Sequence, residues 1–249
     1  MKSKKRFDIR KLTIIGVLGA ISIVLGMTPL GFIPVGPTRA TIMHIPVIIG
    51  AIIEGPIVGA LVGLIFGLFS IYQAITAPTP VSFVFLNPIV SVLPRILIGI
   101  TAYYTYKGLN SLGSKKTIGL LYVIWAAIII YLSRGIYLSV IDYTSIWPLL
   151  MNVGLLILTI GMVYLTAAKF KDKALDIVIA TIVGTLTNTV GVLTMIYVFF
   201  GERFVEALGQ DVEVARRIIV GIGITNGIPE SIIAIIIVTS VVSAVKRRR

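Results

Sequence analysis

Long apolar runs alternate with short connections marked by glycine, proline or charge. The runs fall at residues 11–29, 40–54, 57–77, 83–106, 118–140, 147–168, 175–200 and 217–245. A helix crossing a hydrocarbon core of about 30 Å needs about 20 mostly apolar residues. The pattern therefore predicts an all-α polytopic membrane protein with about eight transmembrane helices. The second run is the shortest and turns into the third at Glu54-Gly-Pro56, where proline can occupy the first turn of a new helix. The third carries Gly59, Gly63 and Gly67 at four-residue spacing, which puts glycine on one face. The ordinary role of such a stripe is close packing against a neighbouring helix.

Composition agrees with this reading. The 249 residues are 57% hydrophobic and 13% charged, against roughly 25% charged in soluble domains. A net charge of +12 raises nucleic acid as a partner, but the distribution of that charge argues for lipid. One set of connections holds Lys2, Lys4, Lys5, Arg6, Arg10 and Lys11, then Lys107, Lys115 and Lys116, then Lys169, Lys171 and Lys173, and finally Lys246 to Arg249. The alternate set holds Arg39, Asp142 and the segment 201–217, where Glu202, Glu206, Asp211 and Glu213 oppose Arg203, Arg216 and Arg217. Positive charge stays on the cytoplasmic side, so both termini are expected there; seven crossings would leave one basic end outside. The basic start followed by an apolar stretch looks like a signal peptide, but lacks a convincing cleavage site and is read as a retained first helix. The absence of cysteine and the single histidine exclude disulfides, thiolate sites and a multi-histidine metal centre within one chain. No cofactor is implied.

Strongly polar side chains at membrane depth are costly and usually face a cavity or a partner. The candidates are His44, Tyr72, Gln73, Asn87, Arg95, Asn188, Asn226 and Glu230. Arg95 lies eight residues beyond Asn87, about 12 Å deeper, too deep to snorkel easily. Thr185, Thr187 and Thr189 surround Asn188, and Asn226 and Glu230 share a helical face. Pro94 and Pro229 each free a carbonyl one turn earlier. These groups suggest an outward-facing cavity from helices 2, 3, 4, 7 and 8. The plainer alternative is a buried ion pair between Arg95 and Glu230, with the asparagines as interhelical glue and His44 as an interfacial group. Arg134, Trp125 and Trp147 read as snorkelling or belt residues. No nucleophile with a base, no paired carboxylates and no phosphate-binding loop are visible, which argues against an enzyme and against ATP hydrolysis by this chain.

Four strings, at residues 40–56, 83–95, 184–191 and 225–230, give the chain its likeness to a known family. It resembles the substrate-binding S components of energy-coupling factor (ECF) vitamin transporters, most of all the pantothenate- or cobalamin-type branch. The resemblance covers about 1–110 and 175–249. It implies one membrane domain in which 1–116 and 171–249 form a six-helix S-component-like core and 117–170 is an inserted helical hairpin that preserves parity. It also implies a vitamin site near the outer face, covered by the loop after helix 1, about Pro29 to Arg39. Docking would follow on an ECF module of one transmembrane coupling subunit and two ATPases in a prokaryotic cell membrane. The small-residue docking patch of the family corresponds to Gly16 and Ala20, with glycine in place of the first alanine. The leading expectation is an uptake subunit in which Arg95 holds a carboxylate and Asn87, Asn188 and Asn226 meet hydroxyl and amide groups. A stand-alone proton-driven transporter using Glu230 or His44 is the alternative, and no internal repeat favours it.

Overall fold

The computed structural model describes residues 8–35, 38–112, 114–141, 146–168 and 172–247. The orientation argument therefore rests partly on residues outside them: Lys2, Lys4, Lys5, Arg6, Asp142, Lys169, Lys171, Arg248 and Arg249. The side chains of Arg39, Lys115, Lys116, Trp147 and Lys173 are likewise not described.

Helix α1 is Ile9–Met27 and begins at Asp8, whose carboxylate accepts the Arg10 N–H. A short 3-10 turn at Pro29–Gly31 leads into an antiparallel hairpin of β1 (Phe32–Val35) and β2 (Thr38–Thr41), with Phe32 opposite Thr41. The following helices are α2 (Ile45–Glu54), α3 (Pro56–Thr76), α4 (Pro88–Ser91) and α5 (Leu93–Leu112). Then come α6 (Ser114–Ile141), α7 (Ile146–Ala168), α8 (Asp172–Ala207) and α9 (Ala215–Arg247). Six units are long and apolar enough to cross a membrane: α1, α3, α4 with α5, α6, α8 and α9. With α2 and α7 they make the polytopic all-α architecture that the apolar runs predict.

Two contacts show that alternate ends share a side. Arg10 Nη2 lies 3.2 Å from Glu54 Oε1, joining the start of α1 to the end of α2. Lys246 donates to the Tyr106 hydroxyl and sits 3.9 Å above that ring, joining the ends of α9 and α5. We call this the terminal side and the opposite face the far side.

Three expectations need correction. The second run is not helical from residue 40: β2 occupies Thr38–Thr41, and α2 starts only at Ile45 because Pro46 is tolerated only in a first turn. The fourth run is not one helix, since Pro88 and Pro94 break it into a 3-10 turn at Ser82–Leu86, α4 and α5. The segment 201–217 is only partly a loop, because α8 continues to Ala207 and α9 begins at Ala215.

The core lies where α2, buried from Ile45 to Ile52, is enclosed by α1, α3, α5, α8 and α9. The glycine stripe of α3 sets the closest crossing. A Cβ on Gly63 would lie 2.1 Å from the Arg95 carbonyl oxygen, and one on Gly59 2.9 Å from the Gly99 Cα. The two backbones thus touch, and the stripe does the packing expected of it. Gly55, with φ 105°, makes the turn between α2 and α3. Helices α6 and α7 pack chiefly on each other; α6 reaches the rest of the molecule through α8 and α5, and α7 through α9, with Leu121, Trp125 and Met162 buried in the shared cluster.

Gly63→Ala forces α3 and α5 apart and should destabilise the protein by about 1–3 kcal/mol or more. Gly16→Ala, where a Cβ meets nothing within 4 Å, should leave stability unchanged or slightly raised. Thermal unfolding of the two purified variants, followed by loss of monodispersity, checks the contrast.

Candidate functional site

Helix α2 has ten residues and rises about 15 Å, half of the hydrocarbon thickness. Since it ends at Glu54 on the terminal side, its start lies near mid-membrane, and the non-helical stretch Thr41–His44 runs at that depth. Such backbone is tolerated only where protein or a cavity satisfies it. Here neighbouring helices do so. The Thr41 N–H donates to Glu230 Oε1 at 2.7 Å, and Ser22 of α1 donates to the Met43 carbonyl at 3.1 Å. His44 Nε2 lies 3.0 Å from the Thr185 hydroxyl of α8. Thr189, one turn further along α8, donates to Glu230 Oε2 at 2.8 Å. Both carboxyl oxygens of Glu230 are therefore acceptors, one for the foot of the hairpin and one for α8.

Arg95 is placed by a different device. Pro94 has no N–H for the Val90 carbonyl, and the Arg95 guanidinium takes that carbonyl instead, with Nη1 to oxygen at 2.6 Å. Its charged carbon lies 5.4 Å from the centre of the Phe66 ring and 5.7 Å from that of Phe85, a double cation–π arrangement. The side chain is only 6% exposed, yet Nε has no hydrogen-bond partner. Arg95 and Glu230 are not within ion-pair distance, and the one ion pair among the described residues is that of Arg10 with Glu54. The buried Arg95–Glu230 pair is thus absent.

Asn188 is buried on α8 between Gly184 and Gly191, the glycines that pack on Ala102 and Pro94 of α5, and its Oδ1 accepts no hydrogen bond. The neighbouring Thr187 meets Thr101 of α5 at 2.9 Å. Asn226 is half-buried one turn before Glu230 on α9. Structure thus brings His44, Asn188 and Glu230 together around mid-height of α8, with Arg95 on the adjoining α5.

The other three candidates are engaged elsewhere. Asn87 caps α4, accepting the Ile89 N–H at 2.9 Å. Gln73 donates to the Gly26 carbonyl at 2.9 Å, which ties α3 to the end of α1. Tyr72 turns outward, 57% exposed, with its ring 5.9 Å from Phe69. The residues that sequence reading missed are Thr41, Ser22 and the rings Phe66 and Phe85. Phenylalanine carries no polar signature, so only the fold reveals that two of them flank the arginine.

A half-helix that begins at mid-membrane below a hairpin, with one guanidinium nitrogen and one amide oxygen buried beside it without partners, is an arrangement suited to a membrane-embedded binding subunit. Residues 10–154 match the model of the family described as ECF transporter, substrate-specific component. The chain belongs to that family. It is also similar to two curated proteins. The pantothenic acid transporter PanT of Lactococcus lactis subsp. cremoris is 28% identical over 265 aligned residues, covering all of this chain and 98% of the relative. The pantothenate transporter PanT of Leuconostoc mesenteroides subsp. mesenteroides is 35% identical over 123 residues, covering 48% of this chain and 60% of that protein.

Glu230→Ala removes the shared acceptor of Thr41 and Thr189, and hydrogen bonds to a charged group are worth about 1.5–3 kcal/mol. Faster hydrogen–deuterium exchange is expected across 38–44, with Glu230→Gln intermediate because it keeps a carbonyl oxygen. Unchanged exchange in the alanine variant would show that the hairpin is held by other contacts.

Proposed function

We propose that the chain captures pantothenate from the outer face of a prokaryotic cell membrane and presents it to an ATP-driven ECF module. The observation that carries the reading is Arg95. A buried cation flanked by two rings, with one nitrogen unspent and no carboxylate within ion-pair distance among the described residues, is suited to a small carboxylate. Pantothenate offers one, together with an amide and hydroxyl groups that suit Asn188 and, one turn from Glu230, Asn226. Cobalamin has no carboxylate to offer, so Arg95 favours pantothenate within the branch that the sequence resembles. The names of the two similar proteins agree with this choice. His44 and Glu230 act here as anchors of the hairpin that roofs the site.

Both termini are read as cytoplasmic from the basic residues at the chain ends and in alternate connections. The far side is then outside, and the hairpin after α1 faces the incoming vitamin. Coupling to one transmembrane subunit and two ATPases follows the family. What supports docking through α1 is that Gly16 and Ala20 are exposed on the same face as Leu12 and Val17, while Gly19 and Gly26 of α1 pack inward on Ile65 and Phe69. We read α6 and α7 as the hairpin added to a six-helix core, because they pack chiefly on each other and only thinly on α5, α8 and α9.

Titration of the purified chain with pantothenate tests the site. Truncating one partner of a buried charge pair costs about 2–5 kcal/mol, so Arg95→Ala should weaken binding by roughly 30-fold or more. Full affinity in that variant would sink the assignment. Gly16→Leu combined with Ala20→Leu should leave pantothenate binding intact and abolish ATP-dependent uptake in vesicles carrying the module. Uptake by the chain alone, driven by a proton gradient, would instead favour a secondary transporter.

A further inference from the structure

A cavity borders this site at Thr189. It is a cleft of about 550 Å³ between α6, α8 and α9, open toward the bilayer. Trp125 of α6 and Ile182 and Ile235 of α8 and α9 close its deep end, while Tyr197 and Arg216 stand at its far-side mouth. The α8 wall from Tyr197 to Ile182 rises about 22 Å, enough for a hydrocarbon chain reaching through a leaflet of about 15 Å. The lining is apolar except for Thr189, Thr194, Tyr197, Ser231 and Arg216, and it contains no acidic residue.

The mouth carries charge that the protein does not satisfy. Arg216 and Arg217 are exposed in the first turn of α9, which has no acidic residue, although cations are disfavoured at a helix N-terminus. Neither makes an ion pair among the described residues. Asp211 and Glu213 precede them without pairing, and Arg203 is committed to the Phe83 ring at 4.4 Å. An anion at the mouth satisfies the Arg216 guanidinium and the helix end.

We propose that this cleft holds one acyl chain of an anionic phospholipid from the far leaflet, with its phosphate on Arg216. The inserted α6 supplies one wall, so a lipid here fastens the α6–α7 hairpin to α8 and α9. Its chain lies against Thr189, the residue whose hydroxyl holds Glu230.

Native mass spectrometry of the full chain, titrated with phosphatidylglycerol and with diacylglycerol bearing the same acyl chains, tests this. The wild type should retain one phosphatidylglycerol in preference to diacylglycerol. Arg216→Ala should cut that preference roughly fivefold, the effect of one basic residue at an anionic surface. Ile224→Trp, which fills the cleft, should lower retention of both lipids. Arg216 is exposed, so its variant keeps the headgroup arm decisive even if Ile224→Trp fails to fold. Equal retention by wild type and Arg216→Ala overturns the proposal. So does loss of pantothenate binding in an Ile224→Trp protein that stays monodisperse with wild-type thermal unfolding, which would make the cleft a path for the vitamin.

Discussion

Backbone that leaves the helical state inside a membrane must find its partners within the protein. That constraint is met here by one carboxyl group. Glu230 accepts the Thr41 N–H with one oxygen and the Thr189 hydroxyl with the other, so three chain segments far apart in sequence meet at one side chain. Ser22 and His44 complete the attachment. The lower end of the hairpin is bolted to α1, α8 and α9.

The second fixed frame is the crossing of α3 and α5. Gly63 admits the Arg95 carbonyl to within contact of the α3 backbone, and Pro94 leaves the Val90 carbonyl for the guanidinium to take. Main chain and side chain of Arg95 are therefore positioned by two neighbouring residues that contribute no charge of their own. A buried arginine on a freely rotating stem would lose affinity to ordering. This one is ordered by the Val90 carbonyl and the two rings alone.

Much of this was legible beforehand, for reasons that can be named. Apolar runs and basic connections are long-range signals of the bilayer, and they fixed the helices and the shared side of the termini. Arg95, Asn188 and Glu230 stood out because polarity at membrane depth is rare. Pro46 already limited where α2 could begin, but the apolar residues before it masked the break. Asn87 and Gln73 look like ligand groups in a string of letters, and the fold shows that each also has a structural bond, a cap and a helix tie. Phe66 and Phe85 were invisible because an aromatic ring among apolar residues has no pattern of its own. The absence of an Arg95–Glu230 pair depends on which way each helix is rotated, and no sequence period specifies that.

The brevity of α2 sets the distance scale of transport. From His44 to Glu54 the protein spans about 15 Å, so below the site the barrier between cargo and the terminal face is half as thick as the bilayer around it. That layer is filled by the buried side chains of Ile45, Val47, Ile48 and Ile52. On the proposed function, passage of a nutrient displaces this packed plug rather than opening a pore through it.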